Sequence, residues 1–248
     1  MTGIPTSIEP GSREAARLTT LAVVIPTLNE EATLPKLLAS LHGQSRPAER
    51  IIVADGGSKD RTVFEASRGR AEVIIVPKRG RGGQVAAALA QVTEELVLVG
   101  HADMLLPPLA LETVRKSLAE SPHCPGGCLG HRFDGTSLAF RVIEWWDRWR
   151  AQRGSSYGDQ AQFFRRELLQ SVGGFPDQPI MEDVELSLRL RSLGTPIYLD
   201  LPVTVSARRF LRMKCWRAVW QNLVLRRCYR RRGLAVCNEL YERYYRRV

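Results

Sequence analysis

Short apolar runs alternate, in the first half of the chain, with segments whose apolar residues recur at helical spacing. Each run is rich in Val, Ile or Leu and predicts a buried strand. The runs span 21–25, 50–54, 71–76 and 96–103, and Pro26 ends the first of them. The regular order of strands and helices predicts an α/β fold, with a mostly parallel sheet flanked by helices.

Helix signals occupy the segments between the strands. Ser58 is placed to cap the helix after the second strand. A turn at 80–83, rich in glycine, opens an Ala-rich helix that is expected to end near Gln91. Pro107 and Pro108 start another helix. The first helix is predicted from leucines at helical spacing: Leu34, Leu37, Leu38 and Leu41.

The pattern changes after about residue 120. Residues 136–153 predict a helix with a wide apolar side, and Trp145, Trp146 and Trp149 are expected to belong to the core. The remaining predicted elements are a strand at 160–164, a helix at 182–193 and two short strands at 197–199 and 203–206.

The fourth run ends at a histidine and a carboxylate. A strand buried on both faces would deliver Asp103 to the carboxyl edge of the sheet, where open α/β sheets bind ligands. Positions two apart share one face of a strand, so His101 and Asp103 could meet on one ion if the backbone stays extended. One carboxylate together with phosphate oxygens is a usual arrangement for Mg²⁺ or Mn²⁺.

The positive charge is concentrated at one end of the chain. Residues 208–248 contain 13 Lys and Arg against 2 Glu, a balance of +11, which leaves about −1 for residues 1–207 of the formal total of +10. Apolar residues recur along the tail at helical spacing among the arginines. The tail is therefore either a basic amphipathic helix on an anionic membrane or a helix packed on the body with a solvated basic face.

Composition suggests a cytoplasmic protein. Five scattered cysteines indicate a reducing compartment without a disulfide framework. No window approaches the roughly 18 apolar residues of a membrane span. We expect a disordered leader at 1–19, a single α/β domain at 20–210 and the basic helical tail at 211–248. The tail is the segment that could attach the protein to the inner face of the cell membrane.

Four motifs resemble those of the family-2 glycosyltransferases, which have the GT-A fold and take a sugar from a nucleotide diphosphate. They are Val-Val-Ile-Pro-Thr-Leu-Asn-Glu at 23–30, Ile-Ile-Val-Ala-Asp-Gly-Gly-Ser-Lys-Asp-Arg-Thr at 51–62, Gly-His-Ala-Asp at 100–103 and Met-Glu-Asp-Val-Glu at 181–185. The sequences His-Ala-Asp at 101–103 and Gly-Asp-Gln at 158–160 resemble those of a bacterial subgroup of this family that is associated with radical-SAM proteins and arsenosugars. The similarity covers roughly residues 20–210.

The resemblance implies roles for the donor side of a site. Pro26 and Thr27 would meet a nucleobase, Glu30 a ribose, and Asp55 the base edge, although Asp55 before Gly-Gly is also a usual turn residue. The family's second acid is replaced by Gly56, so the identity of the base stays open.

The diphosphate would lie near the glycine-rich turn. Arg81 and Gln84 flank this turn at a helix start, which suits phosphate oxygens. Ala102 and Asp103 match the family's metal motif, with His101 in place of its first acid, an exchange that favours Mn²⁺ somewhat over Mg²⁺. His101 could also be a packed residue without a ligand role. The family's Asn and Gly in the following helix are replaced here by alanines.

The acceptor side would be served by the fourth motif. Asp183, preceded by Glu182, matches the acid that removes the proton from the acceptor hydroxyl, so that a single displacement inverts the anomeric carbon. An acidic first turn of a helix is the alternative. Residues assigned to the acceptor or the diphosphate are Asp159, Gln160, Arg208 and Arg209.

The predicted activity is therefore transfer of a sugar from a UDP- or GDP-linked donor to an acceptor hydroxyl, with a divalent metal on the diphosphate. A membrane-associated polyprenyl-phosphate sugar transferase and an inactive GT-A binding module are the alternatives. The acceptor would be a small molecule or a lipid-linked molecule, and no nucleic acid is expected as a partner.

Overall fold

The computed structural model describes residues 19–77, 80–208, 210 and 215–244. The strands are β1 (Leu21–Thr27), β2 (Arg50–Asp55), β3 (Glu72–Ile75), β4 (Leu96–Val99), β5 (Met104–Leu105), β6 (Gly126–Phe133), β7 (Gln162–Arg165) and β8 (Ile197–Val205). The helices are α1 (Leu34–His42), α2 (Thr62–Arg68), α3 (Arg81–Leu89), α4 (Ala110–Glu120), α5 (Leu138–Ala151), α6 (Arg166–Ser171), α7 (Glu182–Leu193), α8 (Cys215–Arg232) and α9 (Cys237–Tyr244). Short 3₁₀ turns lie at Gly158–Gln160 and Gly233–Val236.

The strands form one eight-stranded sheet in the order β3-β2-β1-β4-β7-β6-β8-β5. Strands β1 to β4 are parallel, as predicted, and β6 is parallel to β8. However, β7 runs antiparallel to both β4 and β6, and β5 runs antiparallel to β8. The sheet is therefore mixed, with its parallel half formed by the strands that the apolar pattern predicted.

Apolar layers cover both faces of the sheet. In β1, Leu21, Val23 and Ile25 belong to the cluster that holds the four leucines of α1, whereas Ala22 and Val24 face the cluster shared with α3 and α7. This alternation follows from the period of two in a strand. It explains why the strand reads as continuously apolar.

Several predicted boundaries were wrong for local reasons. The fourth strand ends at Val99, and a hydrogen bond from the Met104 N–H to the His101 carbonyl closes a turn there, so His101 and Asp103 do not lie on an extended strand. Ser58 does not cap α2, whose N-cap is Arg61 without a side-chain bond. Pro26 lies inside β1 rather than after it, because β4 pairs with β1 only as far as Val24.

The two short strands predicted at 197–199 and 203–206 are one strand, β8. Pro202 made the segment look interrupted, since it has no N–H for a sheet hydrogen bond. The register with β6 shifts between Leu129 and His131, and β8 passes Pro202 within this irregularity. Pairing with β6 and β5 then keeps the strand continuous.

The basic tail packs on the body of the protein. Leu225 and Leu240 are buried with Ile180, and Tyr229 is buried beside Val184. Among the described residues, no helix combines the length and the apolar character that crossing a bilayer requires. The inner side of α8 and α9 therefore agrees with the prediction of a helix packed on the body, and most of the arginines of α8 are exposed.

The tryptophans of α5 are not core residues, contrary to the prediction. Trp145, Trp146 and Trp149 are 61%, 51% and 40% exposed. The helix instead buries Phe140, which packs against Phe133 at a ring-centroid distance of 4.9 Å.

The sequence pattern also did not reveal a buried arginine. Arg115 of α4 is 1% exposed and donates to the carbonyls of Thr19, Arg46 and Pro47 and to the Glu49 carboxylate at 2.6 Å. These bonds fasten the start of β1 to the segment before β2. An arginine can serve all of them because its guanidinium carries five N–H donors.

We predict that Arg115→Leu lowers the free energy of unfolding by about 2–4 kcal/mol, because it removes the four hydrogen bonds of a buried guanidinium, one of them to a carboxylate. Urea unfolding followed by circular dichroism measures this change. Lys116→Ala, at the exposed neighbouring position, is the control and should change stability by no more than about 0.5 kcal/mol. Similar effects of the two variants would contradict the assignment.

Candidate active site

The ends of β1 and β2 meet in a fully hydrogen-bonded turn. Asp55 is 0% exposed, and its Oδ1 accepts from the backbone N–H groups of Gly57 and Ser58. Its Oδ2 accepts from the hydroxyls of Thr27, at 3.0 Å, and Ser58, at 2.5 Å. A carboxylate has about four lone-pair positions. A nucleobase could therefore bond to Asp55 only by displacing one of these partners.

Gln84 of α3 occupies the space beside this turn. Its Nε2 donates to the carbonyls of Thr27, at 2.7 Å, and Ala54, at 3.0 Å. A Cβ atom on Gly56 would lie 2.7 Å from the same nitrogen. At the position where the family has a second acid, this chain therefore has a glycine, and the amide of Gln84 packs against it. Pro26, also assigned to the donor side, is buried within β1.

The glycine-rich turn packs directly on the segment that precedes α7. A Cβ on Gly80, whose φ is +80°, would lie 2.2 Å from the Pro179 Cα, and a Cβ on Gly82 would lie 2.3 Å from the Gln178 carbonyl oxygen. This close approach requires glycine. It brings Arg81 to Glu182, with 2.7 Å between Nε and Oε1. The arginine assigned to the diphosphate is therefore paired with the acid next to the candidate base.

Burial gives Glu182 an unusual pKa. The side chain is 4% exposed and its Oε2 has no hydrogen-bond partner. Burial raises the pKa of Glu182 to about 7, and Arg81 opposes the rise.

The turn after β4 places His101 and Asp103 among charged neighbours. Burial lowers the pKa of His101 to about 3, with a further contribution from Arg81, so the imidazole is neutral at physiological pH. Burial raises the pKa of Asp103, and Arg208 opposes this at 3.4 Å. Arg208 also donates to both oxygens of Glu30, at 2.7 and 2.8 Å. Ala102 is buried between the two candidate ligands.

The candidate base lies against the same turn. The Gly158 N–H donates to Asp183 Oδ2 at 2.9 Å, and the Val184 N–H donates to its Oδ1 at 2.8 Å. A Cβ on Gly158 would lie 2.6 Å from the His101 ring and 3.5 Å from Asp183 Oδ2. His101 and Asp183, which are 82 positions apart in the sequence, therefore meet across Gly158.

A buried polar cluster adjoins Gly158. His131, Asp147 and Asp159 place ligand atoms within 4.8 Å of one another, a group that could hold a metal ion and that contains neither His101 nor Asp103. His131 Nε2 and Asp159 Oδ1 are buried without a hydrogen-bond partner. Burial raises the pKa of Asp159, and His131 opposes the rise. Gln160, assigned to the acceptor, is 0% exposed with an unpartnered Nε2.

Sequence reasoning did not single out three residues near this cluster and the start of α7, namely Arg150, Arg226 and Tyr229. Arg150 of α5 donates to Asp147 at 2.6 Å and lies 3.2 Å from the centre of the Tyr157 ring, and Arg226 of α8 lies 4.9 Å from the same centre. The Tyr229 hydroxyl donates to Glu185 of α7 at 2.5 Å. The tail thus contributes to the surroundings of α7. Arg209, which was assigned together with Arg208, lies outside the described residues.

Comparison with known proteins identifies the family. The family model for Glycosyl transferase family 2 matches residues 22–169, and the chain belongs to this family. This confirms the resemblance based on the four motifs.

The curated relatives match only part of the chain. An uncharacterized glycosyltransferase of Mycobacterium bovis is 39% identical over 84 residues, 34% of this chain and 36% of the relative. An undecaprenyl-phosphate 4-deoxy-4-formamido-L-arabinose transferase of Pseudomonas paraeruginosa is 29% identical over 174 residues, 61% of this chain and 49% of the relative. The chain thus spans between a third and a half of the length of these relatives.

The fold is shared with solved GT-A glycosyltransferases. Glucosyl-3-phosphoglycerate synthase of Mycobacterium tuberculosis, solved with Mn²⁺, UDP and glucosyl-3-phosphoglycerate, superposes with a TM-score of 0.57 and 23% sequence identity. The match covers 83% of this chain and 77% of that protein. The GT-A prediction is confirmed for the fold.

We predict that Gly56→Asp, which restores the family's acid, lowers the free energy of unfolding by about 1–3 kcal/mol through collision with Gln84. Gln84→Ala should relieve part of that loss in the double variant, with a coupling of about 0.5–3 kcal/mol. A double-mutant cycle measured by urea unfolding gives the coupling. Additive effects of the two substitutions would show that the amide does not determine what fits at position 56.

The raised pKa of Glu182 predicts a dependence of stability on pH. A carboxyl whose pKa rises from 4.5 to about 7 on folding stabilises the protein below pH 4.5 and loses that contribution as the pH rises towards 7. Relative to the wild type, Glu182→Gln should therefore gain about 1–3 kcal/mol of unfolding free energy across this interval. Glu167→Gln, which removes an exposed carboxyl in α6, is the control. Parallel pH profiles of wild type and Glu182→Gln would refute the assignment.

Proposed function

We propose that this chain is an inverting glycosyltransferase that moves a sugar from a UDP- or GDP-linked donor to an acceptor hydroxyl. The observation that carries the proposal is the meeting of the turn after β4 with the start of α7, where a Cβ on Gly158 would touch both His101 and Asp183. A leaving group held at the turn and a nucleophile at Asp183 would then approach one sugar carbon from opposite sides.

The donor would lie along the carboxyl edge of the parallel strands. Thr27 ends β1, Glu30 follows it, and Arg81 begins α3, where its guanidinium suits phosphate oxygens. We propose that Asp55 shapes the base pocket through its turn. Arg81 would divide its interactions between Glu182 and the diphosphate, and Arg208 would bring a second positive charge.

His101 and Asp103, which lie on the turn after β4 and not on one face of a strand, would each supply one ligand atom to a divalent cation. A neutral imidazole offers a lone pair, and Asp103 offers an oxygen. Such an ion would neutralise charge on the departing diphosphate. The Mn²⁺ and UDP in the solved mycobacterial synthase support this class of cofactor.

Asp183 would act as the base. Two backbone donors fix its carboxylate, and the residue is partly exposed, so an acceptor hydroxyl can reach it. Asp159 and Gln160 would line the acceptor side. The base needs no further group to hold it in place, since the 3₁₀ turn and α7 both contact it.

A polyprenyl-phosphate sugar transferase is the second candidate. It is favoured by the relative named for undecaprenyl phosphate and by the exposed arginines of α8. A phosphate acceptor is already an anion, so removal of a proton by Asp183 would not be required.

Calorimetry with UDP, GDP and their sugars, with and without Mn²⁺, tests donor binding, which we expect to strengthen with the metal. Asp183→Asn should leave that binding unchanged and lower transfer to hydroxyl acceptors by about 10²–10⁴-fold, measured as nucleoside diphosphate released. Glu167→Gln is the matched control. Retained transfer in Asp183→Asn would favour the phosphate acceptor, and failure of the wild type to bind any of these nucleotides would refute the enzyme.

A further inference from the structure

Helix α5 carries an exposed apolar stripe. Five large apolar residues, between 40% and 79% exposed, recur at spacings of three and four along 138–149 and therefore lie on one side of the helix. We call this side the tryptophan face; its members are Leu138, Val142, Trp145, Trp146 and Trp149.

The orientation of α5 is the reverse of an ordinary surface helix. Its buried side contains Asp147 and Arg150, which belong to the polar cluster beside Gly158, together with Phe140. A helix packed on a protein normally buries its apolar stripe and solvates its charges. Contiguous exposed apolar surface of this kind marks a site of contact with a partner or a membrane.

Positive charge surrounds the tryptophan face. Arg153 lies 3.8 Å from the centre of the Trp149 ring, and Arg148 is half exposed and paired with Asp200 on β8. Arg226 of α8 lies 4.9 Å from the centre of the Tyr157 ring, against which Arg150 from the buried side of α5 also lies. The exposed arginines of α8 are Arg217, Arg227, Arg230, Arg231 and Arg232.

From these observations we infer that the tryptophan face of α5 is a membrane-contact surface that lies on an anionic bilayer. Tryptophan is favoured at the boundary between headgroups and acyl chains. Arginines beside it are attracted to anionic headgroups. Charge complementarity thus identifies the occupant, because Arg148 and Arg153 lie beside the tryptophan face and the described part of α8 adds further exposed arginines.

This contact differs from the tail acting alone. The inner side of α8 packs on the body. Among the side chains of α8 that the structure describes, the large apolar ones that are exposed are Trp220 and Leu223. The tryptophan face is larger and lies on a helix that also lines a cavity of about 210 Å³ with His131 and Gln160. A bilayer on α5 would bring a lipid-linked acceptor close to the polar cluster.

The test is flotation of the full chain with vesicles of phosphatidylcholine containing about 30 mol% phosphatidylglycerol, compared with phosphatidylcholine alone. The wild type should bind the anionic vesicles, less at high salt. The combined variant Trp145→Ser, Trp146→Ser and Trp149→Ser should bind at least about tenfold more weakly. Because these side chains are exposed, its thermal unfolding should match that of the wild type.

Two control variants make the outcome specific. Phe64→Ser removes a side chain that is 53% exposed on α2, a helix that packs on α1 and the edge strand β3, and it should bind like the wild type. The pair Trp220→Ser and Leu223→Ser on α8 should keep most of the binding. No nucleotide is present in the assay, so its result is independent of the proposed sugar transfer.

Four results would overturn the inference. The wild type could fail to bind anionic vesicles, or the triple variant could bind as well as the wild type. Loss of binding in the α8 pair alone would assign the contact to the tail. A dimer in lipid-free solution that the triple variant dissociates, measured by light scattering, would assign the face to a second copy of the chain.

Discussion

The close packing of the glycine-rich turn against the segment before α7 holds the two halves of the candidate site together. Gly80 and Gly82 allow the backbone of this turn to touch Pro179 and Gln178. A larger residue at either position would force the start of α3 away from α7. The Arg81–Glu182 pair, and the placement of Asp183 opposite the turn after β4, depend on this contact.

Charge compensation around the site follows from that packing. Arg81 influences the pKa values of His101, Asp103 and Glu182, although these groups come from two different segments. Arg208 balances Glu30 and Asp103 in the same way. A bound diphosphate would enter a network in which both arginines already have carboxylate partners, so its binding would redistribute charge as well as add it.

The sequence pattern predicted the parallel half of the fold well, because β1 to β4 are buried on both faces and their apolar runs are unambiguous. It failed where distant pairing decides the outcome. Pro202 was predicted to interrupt the strand. However, β8 continues because β6 pairs with it both before and after Pro202, and β5 pairs with it after Pro202. For α5, the stripe of tryptophans predicted a core-facing side, whereas the helix turns Arg150 inwards to Asp147 and Tyr157.

The motifs named the acids of the candidate site, whose roles stay a prediction, but gave no signal for their hydrogen-bond partners. Motif order brought forward Asp103 and Asp183, whereas the bond between Glu30 and Arg208 joins residues 178 positions apart and leaves no local signal. Asp55 is the opposite case. Its position before two glycines predicted a turn, and that turn accounts for the two backbone N–H groups that donate to its carboxylate. The tail residues Arg226 and Tyr229 lie in a segment that was predicted as a basic amphipathic helix, without a signal for contacts near the candidate site.

The burial of Leu225, Tyr229 and Leu240 beside α7 has a consequence for how this chain can be divided. A fragment that stops near residue 210 would uncover Ile180 and Val184 next to Asp183. The folded unit therefore extends through α9, and the last two helices cannot be removed as an independent module.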